Sequence, residues 1–250
     1  MMQVYQLTNK VDIDAVKELC KEGIFLTGLI RLAPEFQTYG PLVVEKLSKK
    51  FGMNEGALFF IDPGLVCLCL SESSGYSPST IRREVAIELK DIHCQLNFRH
   101  TSPELLETIS KELAKDASER AALFRERAER SQKRYMVVDD DMFIRQVMNT
   151  HLADHGEVQE FSDGLKAAES YAEVNPDVVY LDIHIHGIDG LEVMKRIQEL
   201  DLDAKIVILS SDTSTSKVML AQNSGACTFL KKPATPERIS ETIKLAYFDI

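Results

Sequence analysis

Arg134-Tyr135-Met136-Val137-Val138 runs directly into Asp139-Asp140-Asp141, and this stretch decides the fold of the second half of the chain. The apolar run is too short for a helix and suits a buried strand, with acids starting where the strand runs out. The pattern recurs downstream. Asp177–Leu181 ends at Asp182, Ala204–Leu209 ends at Ser210, and Thr228–Leu230 leads through Lys231 to Lys232-Pro233. Between these runs, apolar residues step at helical spacing, beginning with Phe143, Ile144, Val147, Met148 and Leu152. Further helices are expected over Gly164–Tyr171, Leu191–Leu200, Ser216–Asn223 and Pro236–Phe248, with a weak strand at Val158–Phe161. Five strands alternating with five helices predict an α/β domain over 134–250, a doubly wound parallel sheet covered on both faces. Ligands bind such sheets at the carboxyl ends of the strands, which is where Asp139, Asp140, Asp182, Ser210 and Lys232 fall.

Residues 1–102 have a different rhythm. A short strand at Val4–Leu7 and a helix at Asp12–Cys20 precede a strand at Ile24–Leu32, a helix at Pro41–Phe51 and a strand at Ala57–Ile61. Asp62-Pro63-Gly64 signals a turn into Leu65–Leu70, and Ile81, Val85 and Leu89 mark a helix opened by Ser77-Pro78-Ser79. Alternating Ile92, Cys94, Leu96 and Phe98 form a last strand. Without the first strand and helix, the order β-α-β-β-α-β predicts an α+β ferredoxin-like domain.

Residues 103–133 join the two as a helical linker. Thr101 or Ser102 can cap it, Pro103 suits its first turn, and Leu106, Ile109, Leu113, Ala117, Ala121, Phe124 and Ala128 step by three or four. One long connecting helix is expected. Two readings of it stay open: a solvated connector packed on one domain, or a coiled-coil stalk giving a homodimer through 103–132.

Composition narrows the function. The 250 residues are 44% hydrophobic, ordinary for a protein that buries real cores. No apolar run approaches the roughly 20 residues of a membrane helix, and Met1 to Lys10 lack a signal-peptide pattern, so a cytoplasmic, membrane-free protein is expected. Cys20, Cys67, Cys69, Cys94 and Cys227 read as reduced core cysteines. Residues 134–250 carry 20 acids against 11 Lys and Arg, and no basic face is visible, which argues against DNA binding.

The strand-end residues suggest chemistry. Paired acids such as Asp139 and Asp140 suit a hard cation like Mg²⁺, which takes oxygen ligands and keeps several waters. They could equally be loop acids, and Asp141 could cap the following helix. A carboxylate emerging from a buried strand, as Asp182 does, can accept a phosphoryl group. Ser210 can donate to a phosphoryl oxygen, and Lys232 offers it a point positive charge, whereas Lys231 should point the other way. Taken singly, each has an ordinary reading as a turn, a cap or a solvated side chain.

Residues 134–250 resemble the receiver domain of two-component response regulators. The resemblance rests on the Asp139-Asp140 pair, Asp182 with Asp189-Gly190, Ser210, Gly225-Ala226 and Lys232-Pro233. It implies a flavodoxin-like fold and a phosphorelay protein. Asp182 would take a phosphoryl group from a phosphohistidine on a histidine kinase or phosphotransfer protein. It implies Mg²⁺ held by Asp140, Asp182 and the backbone carbonyl of His184, with Asp139 acting through water. Lys232 would pair with the phosphate, Ser210 would swing toward it, and Phe229 would be an aromatic switch.

The segment Asp182-Ile183-His184-Ile185-His186-Gly187 departs from the family pattern by lacking a Met-Pro pair, His186 standing in place of the proline. His184 and Asp212 fall where side chains tune the access of water, so they are expected to set the lifetime of the phosphorylated state, or else simply to face solvent. Dephosphorylation rates unchanged in His184→Ala and Asp212→Ala would remove that expectation.

The N-terminal half is similar in order to GGDEF-type cyclases, through Phe36, Tyr39-Gly40 and the hairpin at Asp62-Pro63-Gly64. The hairpin lacks Gly-Gly-Asp-Glu-Phe, and Leu29-Ile30-Arg31-Leu32 carries no metal-binding acid, which argues for a degenerate relative and against an active enzyme. A regulated enzyme and a phosphate sink without output are the alternatives to a signalling protein.

Overall fold

The computed structural model describes residues 2–6, 25–52, 56–62, 64–71, 74–116, 119, 122–211 and 224–246. These fall into two compact units that divide between Ala122 and Leu123. The expected helices at Asp12–Cys20 and Ser216–Asn223, and with them Cys20 and Asp212, lie outside the described residues.

The first unit holds β1 (Met2–Gln6), β2 (Phe25–Leu32), a 3-10 turn at Pro34–Tyr39, α1 (Gly40–Phe51), β3 (Gly56–Asp62), β4 (Leu65–Ser71), α2 (Pro78–Glu88), β5 (Cys94–His100) and α3 (Pro103–Ala114). The sheet order is β1-β3-β4-β2-β5. The pairs β2–β4, β2–β5 and β3–β4 are antiparallel, the arrangement of a ferredoxin-like sheet, and β1 adds a parallel strand at the β3 edge. Val43, Leu47 and Phe51 of α1 and Ile81, Val85 and Leu89 beside them bury one face of the sheet through Ile30, Leu58, Val66, Leu68 and Leu96. That four-residue spacing is the apolar stripe expected of a helix lying on a sheet. Ser77 caps α2 by accepting from the Thr80 N–H. Cys67 and Cys69 are buried and their sulfurs lie 3.9 Å apart, on one face of β4.

Residues 103–132 are not one long helix. Helix α3 ends at Ala114, Lys115 and Asp116 are not helical, and α4 spans Ala122–Glu129. Asp116, itself not helical, accepts on its carboxylate from the Glu119 N–H at 2.9 Å, a bond of the helix-capping type. Ile109 is buried in the first unit, while α4 belongs to the second. Among the described residues, the helical pattern of 103–132 is thus interrupted at Lys115 and Asp116.

The second unit holds α4, β6 (Arg134–Val138), α5 (Met142–Leu152), β7 (Glu157–Phe161), α6 (Gly164–Val174), β8 (Val178–Asp182), α7 (Gly190–Leu200), β9 (Ile206–Ser210), β10 (Thr228–Lys231) and α8 (Pro236–Ala246). Its five strands are all parallel in the order β10-β9-β8-β6-β7, the flavodoxin-like winding. The apolar runs are continuous because both faces are covered. Met136, Val138, Val179, Leu181, Ile206 and Ile208 face one core with α6 and α7, and Tyr135, Val137, Val178, Tyr180, Val207 and Leu209 face the other with α5 and α8. The edge strand β7 is mostly exposed, which is why its signal in the sequence is weak.

Helix α4 is tied to this unit by buried charge. Arg127 is 6% exposed, ion-pairs with Asp201 and donates from Nε to Asn175 at 2.7 Å. Asp201 also accepts from the Tyr171 hydroxyl at 2.7 Å, and burial holds that phenol far above its usual range. The Asp201 carboxyl is pushed up by burial, but Arg127 and Tyr171 outweigh this and keep it low. Asn175 ends α6 in the left-handed region at φ 45° and donates to the Leu123 carbonyl. Arg130 adds a pair to Asp177 at 2.5 Å. Asp177 and Asp201 precede β8 and β9, so this network closes the end of the sheet opposite the strand-end acids.

Candidate functional site

At the carboxyl end of the sheet, three strands deliver their last polar residue to one place. Asp139 follows β6, Asp182 ends β8 and Ser210 ends β9; they are 0%, 5% and 1% exposed. Lys232 follows β10, whose Lys231 pairs in register with Ser210, and the Lys232 N–H donates to the Ser210 carbonyl at 2.9 Å. Lys231 is exposed, while Lys232 turns inward with its side chain 14% exposed. This alternation follows from the pleat.

Lys232 Nζ lies 2.5 Å from Asp139 Oδ2 and 3.0 Å from Asp182 Oδ2. Asp139 Oδ2 is buried, and the Lys232 ammonium is the group that faces it. Asp139 Oδ1 accepts from the Asp141 N–H at 3.0 Å. Burial raises the Asp139 carboxyl above its usual range despite Lys232. Burial also works against the Lys232 ammonium, yet its bonds to Asp139 and Asp182 prevail and leave it raised.

Asp140 sits at the rim with its side chain 33% exposed, and its Oδ2 lies 2.8 Å from His186 Nδ1, a bond that lowers the Asp140 carboxyl. Carboxylate oxygens of Asp139, Asp140 and Asp182 lie within 4.8 Å of one another. Three hard oxygen donors gathered at one place, with Lys232 facing two of them, fit a divalent cation of the Mg²⁺ type.

The surrounding loops are built for this approach. Asp141 caps α5 by accepting from the Phe143 N–H at 2.8 Å, and Asp189 caps α7 through the Leu191 N–H at 2.8 Å. Gly190 brings the start of α7 against the end of β8: a Cβ there would lie 2.1 Å from the Asp182 carbonyl oxygen. His184 lies exposed in the bend two residues past Asp182, and Phe229 is half-buried against the α6–α7 core. Met142 and Phe143, 62% and 65% exposed, stand beside the acids at the start of α5.

Two contacts here had no signal in the sequence. Arg145 bonds the main chain of the acid pair, donating from Nη1 to the Asp139 carbonyl at 2.8 Å and the Asp140 carbonyl at 3.0 Å. The other is His186, which enters only as a replaced proline in the sequence and stands bonded to Asp140 in the structure.

The family model of the response regulator receiver domain matches residues 135–244. The chain is 34% identical to chemotaxis protein CheY of Thermotoga maritima over 113 residues, which cover 44% of this chain and 94% of that protein. It is 35% identical to chemotaxis protein CheY of Bacillus subtilis over 112 residues, covering 44% of this chain and 93% of that one. Among solved structures, chemotaxis protein CheY4 of Vibrio cholerae is similar at 28% identity with a TM-score of 0.43, covering 46% of this chain and 98% of that one. The chain therefore belongs to the response regulator receiver family. It is a two-component response regulator whose second unit is the phosphoaccepting receiver; the family match does not extend to residues 1–134.

Proposed function

We propose that Asp182 is the phosphoacceptor, receiving its phosphoryl group from a phosphohistidine on a histidine kinase or phosphotransfer protein. The observation that carries this reading is the position of Lys232 Nζ, 3.0 Å from Asp182 Oδ2 at the end of a buried strand, beside two further carboxylates. An Asp182 oxygen attacks phosphorus in line, the P–O bond forms as the P–N bond to the donor's ring, protonated on its other nitrogen, breaks, and the ring leaves as neutral imidazole keeping that proton. Asp140, Asp182 and the His184 carbonyl would hold a divalent cation, with Asp139 acting through water, and the cation would supply positive charge for the phosphoryl oxygens. Lys232 neutralises a further oxygen and Ser210 donates to another, which offsets the charge of about −1.5 to −2 that phosphate adds to an acidic site. Met142 and Phe143 offer the donor an apolar surface at the mouth.

Phosphorylation then biases a two-state receiver through Ser210 and Phe229, with His184 and Asp212 setting its lifetime. Residues 134–250 are the switch, residues 1–102 the output module, and 103–133 the linker between them. Incubation with labelled acetyl phosphate and Mg²⁺ tests the acceptor. Label is expected on the wild type and lost in Asp182→Asn; label that persists in Asp182→Asn overturns the assignment.

A further inference from the structure

We propose that Arg145 is a positioning residue for the metal pocket, an inference that rests on reading the three acids as that pocket. Arg145 lies on α5, its side chain 15% exposed, and one of its nitrogens, Nη1, bonds both the Asp139 carbonyl at 2.8 Å and the Asp140 carbonyl at 3.0 Å. These carbonyls lie past the end of β6, where no strand ladder holds them. The part-buried Asp139 carbonyl needs a partner, and the same charged donor also serves the more exposed carbonyl of Asp140, the next peptide group. The residues so held are the two whose carboxylates join Asp182 in the acidic cluster. Fixing both peptide planes fixes the directions in which both side chains leave the chain.

Arg145 is itself held. Its Nε lies 3.6 Å from Glu160 Oε2, and the other Glu160 oxygen accepts from the Asn149 amide. Glu160 belongs to the edge strand β7, paired in register with Val137 two residues before Asp139. The chain of contacts thus runs from the sheet edge through Glu160 and Arg145 to the main chain of the acid pair. Mg²⁺ demands near-octahedral geometry at about 2.0–2.1 Å, so a small rotation of either peptide plane moves a ligand out of range. Groups that orient metal ligands typically change affinity about 10–100-fold when removed.

The test is direct binding of Mn²⁺, followed by electron paramagnetic resonance on the full chain without any phosphodonor. Arg145→Ala is expected to weaken Mn²⁺ binding about tenfold. Arg145→Lys should recover part of the loss, because an ammonium can still reach the carbonyls, and Glu160→Gln should give a smaller loss in the same direction. Arg196→Ala, an exposed arginine on α7, should bind as the wild type does. Circular dichroism melts establish that each variant is folded at the temperature of the titration. Wild-type affinity in folded Arg145→Ala overturns the proposal, as does a loss that follows unfolding alone. A wild-type chain that binds no Mn²⁺ would remove the pocket itself, and the proposal with it, whatever the Asp182→Asn labelling shows.

Discussion

Lys232 Nζ stands 3.0 Å from Asp182 Oδ2, with the buried Asp139 carboxylate 2.5 Å from the same nitrogen. One cation thus faces two carboxylates, and a third lies within ligand distance of both. The site carries more negative charge than its own lysine balances.

The first consequence is that a divalent cation should stabilise the fold. A ligand that binds only the native state adds RT ln(1 + [L]/Kd), about 2.7 kcal/mol at a hundredfold excess over Kd. Mg²⁺ is expected to raise the Tm of the wild type. Asp139→Asn should abolish most of that rise, and equal Mg²⁺-induced shifts in both proteins would contradict it.

The second concerns pH in the absence of metal. The Asp139 carboxyl is raised in the folded state, chiefly by burial, so its ionisation opposes folding. Its favourable contribution is present below the unfolded carboxylate range and is lost as pH rises through the folded value. Metal-free Asp139→Asn should therefore melt a few degrees above the wild type at pH 7, and this advantage should shrink as pH falls into the carboxylate range. Lys232, raised by its carboxylate partners, acts at the other end: its contribution is full at neutral pH and is lost as pH rises through its raised folded value. Thermal melts across pH with chelator present check both.

The third concerns Gly190. A methyl group there would lie 2.1 Å from the Asp182 carbonyl oxygen and 2.8 Å from Ile183 Cα, both main-chain atoms that cannot swing aside. Gly190→Ala should cost about 1–3 kcal/mol, the usual range for overpacking, and should slow acetyl phosphate labelling under conditions where the variant is folded. Urea denaturation with parallel labelling measures the two effects.

The fourth concerns the buried pair that fastens α4. Arg127→Ala leaves Asp201 buried without its guanidinium, a change that costs about 3–5 kcal/mol in comparable pairs. Arg127→Met with Asp201→Asn should recover much of this, since neither a lone charge nor a large cavity remains. A melt of Arg127→Ala close to wild type would show that α4 contributes little to the receiver unit.

Much of the receiver could be read from residue patterns. Val178–Leu181 and Ile206–Leu209 are apolar at every position because cores lie on both sides of the sheet, and the next residue is polar because the sheet ends there. The ferredoxin-like order was legible for a related reason: each segment kept the period of its own element. The linker was not. Arg127 and Arg130 look like members of a solvated helical face, since a sequence does not show that Asp201, Asn175 and Asp177 of the same unit pack against them. The break at Asp116 was hidden because an aspartate mid-pattern reads as an ordinary helical acid until its carboxylate is seen to cap Glu119.

By itself, the sequence determined which residues reach the carboxyl end of the sheet: strand length and pleat put Asp139, Asp182, Ser210 and Lys232 there. Tertiary structure decided how they stand to one another. Lys232 facing two carboxylates, Arg145 gripping two carbonyls, His186 against Asp140 and Arg127 buried beneath the opposite end all join residues distant in sequence or turned by a loop. Local periodicity carries no information about such contacts, because they depend on where the packed cores place one element against another.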